Sequence, residues 1–374
     1  MGGGGDSGAA ASTMRRFTSR SLGPDQELRV FRIAAFACIG GVLYGYNQGM
    51  FSGVLAMPAF NNHMGEYTTD QTKKGWLTAI LELGAWIGTL LSGFLAEVLS
   101  RKYAVLVACA VFIIGVIVQA TAVSGGHDAI LGGRFVTGMG VGSLAMIIPI
   151  YNSEVAPPEV RGALVATQQL AICFGIMISF WIDYGTNFIG GTEETQSDAA
   201  WLVPICLQLA PAVLLFVGMI FMPFSPRWLI HHGREEEARK VLSSLRGLSA
   251  DHELVELEFL EIKAQSLFEK RTIAELFPQL REQTAWNTFK LQFVAIRKLF
   301  QTKAMFKRVV VATVTMFFQQ GASQAAAGWA AVCMVWLFVI HFGYSWGPCA
   351  WIIVAEIWPL STRPYGVALG ASSN

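Results

Sequence analysis

Apolar stretches separated by short polar breaks run through most of the chain. A helix that crosses the hydrocarbon layer of a bilayer needs about 20 apolar residues, because each residue rises by roughly 1.5 Å. Six such stretches follow one another, at residues 30–50, 76–98, 103–123, 130–151, 163–184 and 202–222. The pattern predicts an all-α membrane protein that begins with a bundle of six spanning helices.

Polarity divides the chain into four segments. They are a disordered cytoplasmic tail (1–28), a six-helix half (29–223), a cytoplasmic helical insert (224–307) and a partial second half (308–374). In the insert, apolar side chains recur at helical spacing between Leu254 and Phe268. We expect its amphipathic helices to lie against the ends of the bundle, because an independent partner-binding domain would need more large apolar residues to bury a core.

The orientation follows from the basic residues, since Lys and Arg accumulate in loops on the cytoplasmic side. Arg101 and Lys102 follow the second span and Arg161 follows the fourth, whereas residues 185–200 carry three acids and no base. Two lysines before the second span are an exception. The distribution predicts an integral membrane protein with a cytoplasmic N-terminus.

Composition excludes several classes of protein. Only 14% of the residues are charged, against about a quarter in soluble domains, which argues against a soluble enzyme. The basic residues concentrate in one segment, so no nucleic acid is expected as a partner. The six cysteines lie in apolar runs without the paired spacing of zinc ligands, so we expect no disulfide framework, metal site or cofactor. No nucleophile and base share a suitable spacing, so we do not expect a membrane-bound enzyme either. His231 and His232 are interpreted as part of a solvated loop.

Ionisable groups inside membrane spans are costly and are usually paired or functional. Several lie at predicted cytoplasmic helix ends, where pairs of opposite charge could hold the inner side closed: Glu97, Arg101, Glu154, Arg161, Glu356 and Arg363. The alternative is a set of solvated ion pairs, each worth less than about 1 kcal/mol. Arg134 lies nearer the outer side and needs an anion or a carbonyl group as partner.

Uncharged polar side chains occupy the middle of the spans, together with Tyr44, Trp346 and Trp351. They are Asn47, Gln48, Gln168, Gln169, Gln319 and Gln320. Amides donate and accept hydrogen bonds, and an indole ring covers the apolar face of a sugar, so the set suits a polyhydroxylated solute. The alternative is that these amides hydrogen-bond to one another between helices.

Several motifs in this sequence resemble the sugar porter family of the major facilitator superfamily, in its fungal form. They are GGVLYGYNQG from Gly40, GRFVTG from Gly133, PIYNSE from Pro149, QQL from Gln168, PFSPRWL from Pro223, the pair Gln319-Gln320, and WGPCAW from Trp346. The resemblance implies a major facilitator-type helical bundle of two six-helix halves, which moves hexoses, pentoses or polyols by alternating access through the plasma membrane.

The resemblance also implies roles for individual residues. The substrate-binding positions are Asn47, Gln169, Ile172, Gln319, Gln320, Trp351 and Asn374. The gate and salt-bridge positions are Glu97, Arg101, Arg134, Glu154, Arg161, Glu356 and Arg363.

Departures from the family pattern affect the mechanism. Asn47 stands where proton-coupled members carry an aspartate, and an amide does not release a proton near neutral pH. We therefore expect facilitated diffusion, although Glu82 or Asp183 could titrate instead. Ser100 replaces a usual glycine, and Phe224 replaces a glutamate.

The second half of the family pattern is incomplete. Two spans are expected, at 309–327 and 329–357, and the family pattern breaks after Gln320 and resumes at the tenth helix. Helices 8, 9, 12 and most of 11 are therefore missing from the pattern, and we expect this chain to transport poorly alone. The alternatives are quinate or polyol transport, a non-transporting regulatory or sensor membrane protein, or an incomplete gene product.

Overall fold

A computed structural model describes residues 24–157, 160–191 and 195–276, with 290, 297, 300, 303, 305–311 and 313–314. The described residues between 24 and 276 form thirteen helices. The helices are α1 (Pro24–Ala37), α2 (Ile39–Val54), α3 (Pro58–Met64), α4 (Glu66–Thr69), α5 (Gln71–Val98), α6 (Arg101–Ala120), α7 (Ala122–Val155), α8 (Arg161–Thr186), α9 (Ala199–Leu207), α10 (Leu209–Phe221), α11 (Pro226–His231), α12 (Glu235–Arg246) and α13 (Glu253–Leu276).

Six helical segments of the described chain are long and apolar enough to cross a membrane. They are Arg29–Val54, Gln71–Val98, Arg101–Ala120, Ala122–Val155, Gly162–Thr186 and Ala199–Phe221. Each overlaps one of the six predicted spans, and the all-α class is confirmed. The two spans predicted at 309–327 and 329–357 lie almost wholly outside the described residues.

Helix α7 is the centre of the packing, because both α5 and α6 pack along it while α2 packs along α8. Glycines allow the closest approach. A Cβ atom added to Gly88 of α5 would collide with the backbone of Met139, and one added to Gly142 of α7 would collide with the backbone of Ala85. Small residues at four-residue spacing are the usual means by which helices approach closely in lipid.

Replacing Gly88 by alanine is expected to destabilise the bundle by about 1–3 kcal/mol, since the α5 and α7 backbones must move apart. The matched control is Gly75→Ala on the same helix, because a Cβ there meets nothing within 4 Å. Thermal unfolding of the two purified variants checks the prediction. Equal midpoints would contradict the close packing of α5 on α7.

Large apolar side chains cover much of the outer surface of the spans. Leu83 on α5, Ile114 and Ile117 on α6, and Leu214 and Phe221 on α10 are all exposed. Such an apolar surface in a soluble protein would mark an interaction site. On helices of spanning length it is the surface that contacts lipid.

Two groups of helices lie outside the spans. Helices α11 to α13 pack around a small core that includes Trp228, Leu242 and Phe259. This group contacts the end of the bundle where α5 ends and α6 begins, which we name the Arg101 end. At this contact the Trp228 Nε1 donates a hydrogen bond to the carbonyl oxygen of Glu97 at 3.0 Å. Helices α3 and α4 lie in the connection before α5, where the sequence analysis predicts no helix.

Candidate functional site

Arg101 joins two acids at the Arg101 end of the bundle. Its Nη1 lies 3.2 Å from the Glu97 Oε2, and its Nη2 lies 3.0 Å from the Glu154 Oε1. The Arg101 side chain is only 8% exposed and also donates to the carbonyl oxygen of Ala96 at 3.2 Å. The predicted pairing of α5, α6 and α7 by charge is therefore present, in a buried form. We call these three charged residues the Arg101 network.

The turn into α6 explains one departure from the family pattern. Ser100 has a φ of 95°, in the left-handed region that favours glycine. Its hydroxyl caps α6 by accepting a hydrogen bond from the Tyr103 amide at 3.3 Å. The serine thus compensates part of the backbone strain that the usual glycine would avoid.

His231 connects helices α11 to α13 to the Arg101 network. Its Nε2 lies 3.8 Å from the Glu97 Oε1, and its Nδ1 lies 3.4 Å from the Ser266 hydroxyl. Burial lowers the pKa of His231, and the Glu97 carboxylate opposes that shift. The interpretation as a solvated loop is wrong for His231, which ends helix α11 and is only partly exposed. It holds for His232, which lies in the exposed turn after α11, although its ring also stacks on the Trp228 ring with centroids 4.1 Å apart.

The remaining predicted gate residues are only partly described. Arg161 begins α8, but the structure does not describe its side chain. Glu356 and Arg363 lie outside the described residues. Arg134 is 3% exposed, and its guanidinium carbon lies 3.4 Å from the centroid of the Phe51 ring. Within the described chain, the Arg134 Nε and Nη1 have no hydrogen-bond partner. An aromatic face therefore covers the guanidinium, and the expected anion is present as an electrostatic interaction with Glu82.

Asn47 is buried in the interior of the bundle. Its Nδ2 donates to the Gln208 Oε1 at 2.7 Å, where the chain passes from α9 to α10. The neighbouring Tyr46 hydroxyl donates to the carbonyl oxygen of Pro204 at 3.0 Å. In this conformation the Asn47 amide is hydrogen-bonded to another amide between helices, which is the alternative to a role in substrate binding.

The predicted substrate-binding residues Gln169 and Ile172 are adjacent on α8. Both are nearly buried, and the Gln169 Nε2 lies 3.8 Å from the Cys173 sulfur, a weak acceptor. The neighbouring Gln168 amide has no hydrogen-bond partner among the described residues. Helix α8 therefore carries amide groups with unused hydrogen-bonding capacity. The other predicted positions lie outside the described residues: Gln319, Gln320, Trp351 and Asn374.

Two acids of the spans differ in their surroundings. The Asp183 carboxylate is buried against Gly53, and neither oxygen has a hydrogen-bond partner in the described chain. Glu82 is exposed, and its Oε1 accepts a hydrogen bond from the Gln48 Nε2. No local sequence pattern predicts the pairing of Gln48 with Glu82, because the two residues lie on different helices, 34 residues apart.

No group of three or more His, Cys, Asp or Glu in the described residues could hold a metal ion.

Comparison with known proteins identifies the family. The family model described as "Sugar (and other) transporter" matches residues 33–325 and 297–374. The chain belongs to this family. The match confirms the resemblance to sugar porters and the prediction of a membrane transporter rather than an enzyme.

Individual relatives agree with the family match. The MFS glucose transporter mfs1 of Aspergillus flavus is 29% identical over 420 residues, covering 92% of this chain and 79% of its own length. The quinate permease of Neurospora africana is 37% identical over 235 residues, covering 61% of this chain and 43% of that one. The solved structure of the proton:xylose symporter XylE, bound to 6-bromo-6-deoxy-D-glucose, has a TM-score of 0.70 and 22% identity, over 93% of this chain and 86% of that one. This likeness confirms the major facilitator fold.

Proposed function

We propose that the protein carries a neutral sugar, either a hexose or pentose, or a related polyol, across a membrane by alternating access. The observation that carries the proposal is the underused amide of Gln169 beside Ile172 within a membrane span. An amide can both donate to and accept from sugar hydroxyl groups. Relatives named as glucose transporters support the same substrate class.

The Arg101 network is the proposed inner gate of this cycle. A buried arginine between two acids holds α5, α6 and α7 together at one end, and Arg161, Glu356 and Arg363 would complete the network from other helices. Under the positive-inside rule this end is cytoplasmic. The N-terminus is then cytoplasmic as well, and the proposed location is the plasma membrane.

Transport by this chain alone is proposed to be weak. The family pattern breaks after Gln320 and resumes near Trp346, so the eighth and ninth helices are missing from within the second half. Alternating access moves one half against the other, so an incomplete second half limits the movement of a sugar even where the first half binds it. Uptake of labelled glucose into transporter-null cells should stay near background, and uptake equal to that of the Aspergillus flavus relative would contradict this proposal.

Quinate is a second candidate substrate. The observation in its favour is the 37% identity to a quinate permease, although that match covers only 61% of this chain. Quinate carries a carboxylate, whereas the sugars do not. A competition assay with labelled glucose against quinate separates the two candidates.

Replacing Gln169 by alanine is expected to weaken sugar binding about tenfold, because the hydroxyl partners of the amide are lost. The measurement is the Kd for glucose of the full chain in lipid nanodiscs, read from tryptophan fluorescence. Gln71→Ala is the matched control, since Gln71 is exposed at the start of α5. An unchanged Kd for Gln169→Ala would exclude Gln169 from the binding site.

Sugar binding is expected to be independent of pH. The Asn47 amide does not titrate, so no proton should bind together with the sugar at this position. By linkage, the Kd for glucose should then be the same between about pH 5.5 and 7.5. A Kd that changes tenfold over this range would instead show proton coupling, with Glu82 and Asp183 as the first sites to substitute.

A further inference from the structure

Glu82 occupies an unusual position for a carboxylate. It lies inside the span Gln71–Val98 and is exposed, and in the described chain its hydrogen-bond partner is Gln48 of α2. A charged side chain in the hydrocarbon region of a bilayer faces a water-filled cavity or another protein element rather than lipid. Because Glu82 is exposed beyond its contact with Gln48, its side of α5 borders water.

Helical spacing separates two exposed faces of α5. Residues Gly75, Thr78, Glu82 and Trp86 follow at intervals of three or four and form one exposed stripe, which we name the Glu82 stripe. Leu83 lies about 100° further around the helix and is 44% exposed. The face with Leu83 is apolar and suits lipid. The Glu82 stripe is the polar face, and Gln48 shows that it points toward α2.

A solute beside the Glu82 stripe meets the negative Glu82 carboxylate before the positive Arg134 guanidinium. Among the described residues, Arg134 is a cation that interacts electrostatically with Glu82. However, Arg134 is 3% exposed and lies under the Phe51 ring. Of these two charges, the Glu82 carboxylate is therefore the one exposed on this surface.

We propose that Gln48, Glu82 and Trp86 form a selectivity site for uncharged polyhydroxylated solutes, at which Glu82 excludes anions. A carboxylate accepts hydrogen bonds only, so it pairs well with sugar hydroxyl groups and repels another carboxylate. The Gln48 amide supplies both donors and an acceptor. The Trp86 indole is 49% exposed one turn away, where its face can cover the apolar side of a sugar ring.

This inference rests on the proposed function and narrows it to neutral substrates, against quinate. The test measures the Kd of the full chain in nanodiscs for D-glucose and for D-gluconate, which differ chiefly in a carboxylate. We expect gluconate to bind at least about tenfold more weakly than glucose. Glu82→Gln should tighten gluconate about tenfold and change glucose less than about threefold, because the new amide still accepts from Gln48.

Glu66→Gln is the matched control, because Glu66 is an acid that is 85% exposed outside the spans; its variant should leave both Kd values unchanged. Equal tightening of gluconate by both variants would overturn the site, since a general field effect would then explain selectivity. An unchanged ratio of the two Kd values in Glu82→Gln, with normal thermal unfolding, would also overturn it. Failure of the unsubstituted chain to bind either solute would instead reject the proposed function itself.

Discussion

Replacing Arg101 by glutamine is expected to destabilise the protein by about 3–5 kcal/mol, because it leaves two acids without their shared cation. Glu97 and Glu154 contact Arg101 within 3.2 Å, and the Glu154 side chain is only 10% exposed. Glutamine keeps some hydrogen-bonding capacity but no charge. The measurement is the midpoint of thermal unfolding of the purified protein in one detergent.

Two further variants identify the cause of this loss. Arg234→Gln removes an exposed arginine paired with Glu237, so it should cost less than about 1 kcal/mol. Adding Glu97→Gln and Glu154→Gln to Arg101→Gln removes the unpaired charges and should restore much of the lost stability. If the triple variant were as unstable as the single one, unpaired buried charge would not be the reason.

Replacing Arg246 by alanine is expected to weaken the attachment of helices α11 to α13 to the bundle by about 2–4 kcal/mol. Arg246 makes two hydrogen bonds to the Glu258 carboxylate, at 2.8 and 2.6 Å, and its Nη1 donates to the carbonyl oxygen of Val155 at 3.4 Å. The last contact caps the C-terminus of α7, where carbonyl groups lack partners within the helix. Hydrogen exchange of α12 and α13 measures the loosening.

Arg239→Ala is a closely matched control for this variant. Arg239 lies on the same helix and pairs with Glu256 of α13, but both side chains are more than a third exposed. Its loss should change the exchange of these helices by less than about 1 kcal/mol. Equal effects of the two substitutions would contradict the conclusion that burial makes Arg246 the stronger attachment.

The sequence predicts the spans well, because lipid requires long apolar helices whatever their neighbours are. Contacts between distant residues are harder to predict. The pairing of Gln48 with Glu82 and the docking of His231 on Glu97 depend on how helices pack, and no local pattern encodes that packing. Arg134 illustrates the same limit: its charge predicts an anion or carbonyl partner, but not the face of Phe51 that covers its guanidinium.

Turn chemistry gives an intermediate case. Pro58 at the first position of α3 is a typical helix start, yet α3 has only seven residues and lacks the long periodic pattern that reveals the spans. Ser100 is noticeable in the sequence as a departure from glycine. Its positive φ shows the physical reason for glycine at that position, which the sequence alone implies only through the family pattern.

We expect the apolar bundle to border a water-filled pathway along the Glu82 stripe. Single cysteines at Glu82 and Leu83, in a background without the native cysteines, test it by reaction with a charged maleimide in intact membranes. Both positions are exposed in the structure, but only position 82 should react, because Leu83 faces lipid. Reaction at position 83 and none at 82 would contradict the account.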